Sequence, residues 1–374
     1  MKILFITSNR VGDAVLSTGL LAWLIERYPQ AQFTVACGTY AAGLFRAVPR
    51  LDRLIVLEKK SWNRHWLELW KECIGMRWDL VVDLRDSVAS RLLLARKRAR
   101  PSRGTGQHKV IENASVLNQL RDMIDEEGCA NPLPLAGRVR VGGAKQGRSY
   151  EFRDQSMPDA PPSSLPVTRE RVTGGGTWPA LASPPSPHIW LDEKAEQEAT
   201  RLLPAARPLF ALGPAANWPC KQWPIERFAA LAQKLTADSG PLPSASMLII
   251  ADAHERQQIV PLIESIPAGK CVEIIGRDLL TVAACLKHCR LFVGNDSGLM
   301  HVAAAMGTPT LGLFGPGYEE IYGPWGAHGA VIRTPESRET LLARLPNLSA
   351  REPNLMEGLS VKDVYTAVKK LLKH

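Results

Sequence analysis

The sequence holds 374 residues, 45% hydrophobic and 22% charged, with 29 glycines and 28 prolines. At about 100–200 residues per domain, this length predicts two domains with separate cores, and the apolar content excludes a chain disordered throughout. Seven cysteines without a CxxC pair exclude a disulfide scaffold and a zinc ribbon and point to a reducing compartment. Lys and Arg number 46 against 37 Asp and Glu, a net charge of +9, which favours an anionic partner: nucleic acid, a membrane surface or a phosphorylated substrate.

In chain order, residues 2–7 form a short apolar run that predicts a strand buried on both faces. The turn Ser8-Asn9-Arg10-Val11-Gly12-Asp13 follows, then a helix to Tyr28 that Pro29 stops. The apolar stretch 14–25 is shorter than the roughly 20 residues of a membrane span. With Asp13 at its entrance and a strand ahead of it, it reads as a structural helix rather than an export signal. Further strands are predicted at 32–36, 53–57 and 80–83. Trp62, Trp66 and Trp70 recur every fourth residue, a helical stripe that either packs on the sheet or inserts at a membrane interface. From Arg91 to Lys109 there are seven Lys or Arg and no acid, a solvated loop or an electrostatic docking segment.

From Gly128 to Pro187, eight Gly and ten Pro fall in 60 residues without helical or strand period, which predicts a poorly ordered insertion. The second half resumes the alternation, with strands at 209–212, 246–251, 271–275, 291–293 and 310–314. Helices are predicted at 225–237, 256–264, 279–288 and 298–306. Alternating strand and helix predicts parallel, doubly wound sheets. The expected domains are an acceptor-binding Rossmann-like domain over 1–119, a disordered insertion over 120–187 and a nucleotide-sugar-binding Rossmann-like domain over 188–350. A C-terminal helix over 351–374 packs back on them.

The strongest local pattern is Gly294-Asn295-Asp296-Ser297-Gly298-Leu299-Met300-His301, where a buried strand opens directly into a helix. Backbone N–H groups there lack intrahelical partners and sit at the positive end of the helix dipole, so the turn suits a phosphate. Asp296 or Ser297 as a plain N-cap and His301 as a satisfied core histidine remain the alternative. On the same sheet edge, Lys221-Gln222-Trp223-Pro224 offers Lys221 as a charge for a diphosphate or as an ordinary surface lysine. A third loop there, Gly315-Pro316-Gly317-Tyr318, reads as a turn. In the first half, Asp13 reads as a helix cap or as a general base. The first loop lacks the leading glycine of GxGxxG, so a nicotinamide dehydrogenase is not supported. Cys285 and Cys289, with His288 as a helical neighbour, read as core thiols rather than a metal site.

Val11-Gly12-Asp13-Ala14-Val15-Leu16, Lys221-Gln222-Trp223-Pro224 and Asn295-Asp296-Ser297-Gly298-Leu299-Met300-His301 together resemble glycosyltransferase family 9, the ADP-heptose:lipopolysaccharide heptosyltransferases. The resemblance covers nearly the whole chain except about residues 120–187. It implies a GT-B fold, two Rossmann-like parallel-sheet domains facing a cleft, with metal-independent, inverting transfer. Carried over, Asp13 is the catalytic base, and Lys221, Asp296, Ser297, Gly298 and His301 form the donor site. Arg85 and Arg91, near the strand end at Asp83, are placed to contact the acceptor. The implied partners are a nucleotide-sugar donor as co-substrate, with no other cofactor and no metal, and an anionic glycolipid acceptor. The expected location is the cytoplasm, peripheral on the inner membrane. Nucleic acid is not expected, since no zinc finger, RNP motif or base-reading basic helix is present. After residues 248–250 the family's glycine-rich turn is replaced by Ala251-Asp252-Ala253-His254-Glu255. The competing function is a non-catalytic nucleotide-binding protein that keeps the fold.

Overall fold

The computed structural model describes residues 1–120, 183–204, 208–347 and 349–373. Two sheets, every strand pair parallel, organise them. The N-terminal sheet runs β3-β2-β1-β4-β5, built from β1 (Lys2–Ile6), β2 (Gln32–Gly38), β3 (Leu51–Leu57), β4 (Trp78–Asp83) and β5 (Ala95–Ala99). The C-terminal sheet runs β11-β10-β9-β6-β7-β8. Its strands are β6 (Leu209–Gly213), β7 (Ser246–Ala251), β8 (Cys271–Ile275), β9 (Phe292–Asn295), β10 (Thr310–Phe314) and β11 (Gly329–Arg333). Both sheets belong to one structural unit, and the α/β class read from the sequence is the one found.

This topology positions the site. Strand order reverses between β1 and β4 in the first sheet and between β6 and β9 in the second, and such reversals open a crevice at the C-terminal strand ends. The loops that leave those four strands carry Ser8–Asp13, Arg85, Lys221 and Asp296–Ser297. Among the described residues, no helix is long and apolar enough to cross a membrane.

Several sequence expectations shift. The helix drawn from the first turn to Tyr28 is two helices, Val11–Val15 and Thr18–Arg27. At the break the Ser17 and Thr18 hydroxyls donate to the Ala14 and Val15 carbonyls at 2.7 Å each, competing with the helical ladder. The tryptophan stripe is shorter than the spacing suggests: the helix spans His65–Cys73, and only Trp66 and Trp70 pack against the N-terminal core. Trp62 sits in a preceding single turn at φ 56, ψ 25 and is 95% exposed. The basic run read as a loop contains β5, an edge strand paired with β4 alone.

Residues 121–182 of the predicted insertion lie outside the described residues. Beyond them, His188 N–H donates to the Thr18 hydroxyl at 2.9 Å. The helix Val361–Leu371 buries Val364 and Val368 in the C-terminal core beside Phe228, Leu231 and Leu235.

Candidate active site

The C-terminal half of the site is built around Asn295, the fully buried last residue of β9. Its carboxamide oxygen accepts from Trp223 N–H at 2.9 Å and its nitrogen donates to the Pro214 carbonyl at 2.7 Å. One side chain thus ties the whole loop after β6 to the end of β9. Trp223 anchors the far end of that loop, with its indole N–H on the Leu359 carbonyl at 2.8 Å and its ring edge-on to Phe228.

Held this way, Lys221 Nζ lies 2.7 Å from Asp296 Oδ2 in a largely buried ion pair. The loop after β10 closes on the same carboxylate, since a methyl on Gly317 would lie 2.6 Å from Asp296 Oδ2. Three loops from three adjacent strands therefore converge on Asp296. Its carboxylate bonds Lys221, and neither it nor Ser297 caps the next helix by a side-chain bond. Ser297 occupies the N-cap position of the helix Gly298–Ala305, and its hydroxyl is buried without a hydrogen-bond partner. The first-turn amides and an unspent hydroxyl stand together at the positive end of the helix dipole.

His301, one turn further, is buried at 4% exposure, and its Nδ1 has no partner. Burial drives its pKa down to about 4, against an opposing pull from Asp296. At neutral pH it is an uncharged imidazole.

In the N-terminal half, Arg10 holds the N-cap position of the helix Val11–Val15, so Asp13 lies inside the first turn and is not its cap. Ser8 Oγ donates to Asp13 Oδ2 at 3.4 Å while accepting from Arg10 N–H at 3.2 Å and from Arg85 Nη1 at 3.3 Å. Arg85 is aimed by buried Asp83, whose carboxylate accepts from the N–H groups of Arg85 and Ser87 and from the Ser87 hydroxyl. Arg91 is not brought to this group. It pairs with Asp86 at 2.9 Å, as does Arg100 at 3.0 Å, on the flank of the lobe.

The two groups meet where glycine faces glycine. A methyl on Gly298 would lie 2.9 Å from Val11 Cβ and 3.2 Å from Gly12 N, and one on Gly12 would lie 2.8 Å from His301 Cδ2. The helix that carries Asp13 thus packs directly on the first turn of the helix that follows Asp296 and Ser297. Tyr322 is within electrostatic reach of both Asp13 and Asp296: burial raises its phenol pKa, and the carboxylates of Asp13, Glu112 and Asp296 push it the same way.

Two cross-lobe contacts were not visible in the sequence. His108 accepts from Val110 N–H at Nδ1 (3.2 Å), which leaves Nε2–H to donate to the Gly323 carbonyl at 3.0 Å, with the ring against Trp325. Arg46 bridges Asp192 and Asp278 at 2.9 and 2.8 Å. The unusual turn after β7 is occupied structurally, because Asp252 and Glu255 form a reciprocal capping box. Among the described residues, no cluster of three or more His, Cys, Asp or Glu could hold a metal ion. Cys285 and Cys289 are buried thiols, and burial pushes the Cys285 pKa up to about 11.

The sequence matches the profile of the family described as glycosyltransferase family 9 (heptosyltransferase) over residues 132–345, more than half of the chain. It is 26% identical over 350 residues to lipooligosaccharide heptosyltransferase 2 of Haemophilus ducreyi, covering 89% of this chain and 88% of that protein. Among solved structures it resembles a glycosyl transferase family 9 protein from Veillonella parvula, with TM-score 0.67 and 20% identity over 100% of this chain and 97% of that one. It also resembles E. coli ADP-heptose lps heptosyltransferase II, with TM-score 0.63 and 19% identity over 100% and 99% of the two chains. The fold shared with them is the GT-B arrangement expected from the motifs.

Proposed function

The chain belongs to glycosyltransferase family 9, and on that footing we propose that it transfers a heptose from ADP-heptose to the core region of a lipopolysaccharide acceptor. The names of its relatives supply the substrate class. The site supplies the chemistry. The donor diphosphate sits at the first turn of the helix Gly298–Ala305, where its negative charge meets backbone amides, the Ser297 hydroxyl and Lys221. The acceptor hydroxyl sits at Asp13.

In the transfer step the acceptor oxygen attacks the anomeric carbon as Asp13 takes its proton. The bond from that carbon to the diphosphate oxygen breaks, and ADP leaves with the electron pair. Attack from the Asp13 side and departure on the Ser297 side lie on opposite faces of the sugar, so the anomeric configuration inverts. The charge that builds on the leaving diphosphate is met by fixed dipoles and one ammonium group, without a metal and without a cofactor other than the nucleotide-sugar. Arg85, aimed by Asp83, is placed for an anionic group of the acceptor. A lipid-anchored acceptor and a soluble nucleotide-sugar meet at the cytoplasmic face of the inner membrane, with the protein peripheral there.

The observation that supports this reading is the Gly12–Gly298 contact, which sets the helix that carries Asp13 against the first turn of the helix that follows Ser297. The test is incubation of the purified protein with heptose-deficient lipopolysaccharide and ADP-, GDP- or UDP-linked sugars, with and without EDTA. The expected result is ADP release and gain of one heptosyl unit by the acceptor, unaffected by EDTA. Binding of ADP-heptose without transfer to any heptose-deficient acceptor would favour a non-catalytic nucleotide-binding protein instead.

A further inference from the structure

The flank of the N-terminal lobe carries an apolar projection that the site does not use. Val88 in the helix Val88–Arg91 is 66% exposed, and Leu92 and Leu94 in the turn after it are 63% and 60% exposed. Leu93 between them is buried at 2%, so the turn is anchored by one leucine while its two neighbours face water. The anchoring is specific. Arg98 donates to the carbonyls of Ser90 at 3.1 Å and Ala95 at 3.4 Å, and also to that of Leu93, so one guanidinium fastens the turn from below. Ser87 caps the helix ahead of it. Large apolar side chains held out by a braced turn are unlike the scattered exposed leucines of an ordinary surface.

The surroundings are cationic. Between Arg85 and Lys109 stand eight Lys or Arg and a single acid, Asp86, which Arg91 and Arg100 already share. Along β5 the exposed positions alternate, with Arg96 and Arg98 on the outer side and Arg100 just beyond the strand. An apolar tip followed by an arginine-rich edge strand matches the interface of a bilayer with anionic headgroups. The apolar side chains partition below the headgroups and the cations stay at their level. The helix His65–Cys73, preceded by fully exposed Trp62, packs beside this flank.

We propose that the Val88–Leu94 projection and the arginine row of β5 form the face with which the protein docks on an anionic lipid bilayer. This deepens the reading above, on which it rests for the purpose of docking. Arg85 lies only three residues before Val88 and touches Ser8, itself bonded to Asp13. The docking face therefore leads straight to the acceptor side of the site, so that a headgroup sugar of a membrane-anchored acceptor reaches Asp13 without leaving the bilayer.

The experiment is vesicle flotation of the full chain with phosphatidylglycerol mixed into phosphatidylcholine, against phosphatidylcholine alone. Wild type should float with the anionic vesicles and less with the neutral ones. The triple variant V88S/L92S/L94S and the single variant R96Q should each lose partitioning, the triple by about tenfold or more. Transfer to a soluble, delipidated acceptor should be unchanged in all of them, which also shows that they fold. Equal flotation of variant and wild type, or no flotation of wild type, overturns the proposal even if soluble transfer proceeds. A wild-type dimer that the triple variant converts to monomer overturns it too, by assigning the face to a second copy of the chain. Absence of soluble transfer with intact, Val88-dependent flotation would instead overturn the catalytic reading and leave the docking face standing.

Discussion

Gly12 of the N-terminal lobe and His301 of the C-terminal lobe are in contact, with room between them for a hydrogen but not for a methyl group: a Cβ on Gly12 would stand 2.8 Å from His301 Cδ2 and 3.4 Å from Nε2. The proximity of the two halves of the site depends on this glycine. Gly12→Ala gains up to about 1 kcal/mol of helix propensity, but the overpacking it causes against a buried ring typically costs about 1–3 kcal/mol. The expected outcome is a melting temperature lowered by a few degrees and a kcat lowered by about tenfold or more as the helices separate. Thermal melts and steady-state rates check this, and a variant as stable and as fast as wild type would show that the contact is incidental.

Lys221 and Asp296 form an ion pair at 2.7 Å, which makes single substitutions there asymmetric. In the proposed donor complex, removing the lysine takes away a cation from the diphosphate and also uncovers a carboxylate beside it. Lys221→Ala should weaken ADP binding in a calorimetric titration by roughly tenfold to a hundredfold, the size of a lost charged hydrogen bond. The double variant K221A/D296N should recover part of that loss, because the uncovered negative charge is gone. Additive losses would mean that Asp296 contacts the donor independently of Lys221.

His301 gives a pH signature. Its pKa is near 4 in the folded protein, against about 6.5 in an unfolded chain. Between those values the unfolded state binds a proton that the native state refuses, so stability falls as pH is lowered from 6.5 toward 4 and is level above about 7. The full difference is on the order of 3 kcal/mol. His108, also held below its ordinary value by burial, acts in the same direction. Denaturant midpoints at pH 7.5 and 5 should therefore differ more for wild type than for His301→Gln. Equal differences would place the ring in a more solvated setting than its burial indicates.

The parts of this fold that were legible in the sequence are those where burial dictates composition. β7, β8 and β10 lie at residues 246–251, 271–275 and 310–314 as read, because the chain there alternates apolar strands with helical periods between turn residues. Edge position alone does not hide a strand, since β8 is one; of the two strands that escaped notice, β11 is only half-buried, and β5 lacks an apolar run. Its outward positions can carry Arg96 and Arg98 without cost, so the run resembles a solvated loop. At the site, the motifs point to Asp13, Lys221, Asp296, Ser297 and His301, and these lie on loops and helix ends that pack together. Asn295, Asp83, Ser8 and His108 are not marked in this way, because each acts through a partner that only folding supplies. Asn295 ties β9 to a loop 72 to 81 residues away. His108 meets a carbonyl 215 residues along the chain. Arg91 was grouped with Arg85 by proximity in sequence, but the helix between them turns it toward Asp86 instead.

The decisive step of the proposed mechanism is that Asp13 takes the proton of the attacking hydroxyl while the donor is held on the other lobe. It is tested most directly by Asp13→Asn, a change that keeps shape and removes basicity. Single-turnover transfer from ADP-heptose to a heptose-deficient acceptor should fall by roughly a hundredfold to ten-thousandfold, the usual contribution of a general base, while the Kd for ADP-heptose stays within about twofold of wild type. Transfer within about threefold of the wild-type rate at unchanged Kd would contradict the account, since the proton would then have another destination.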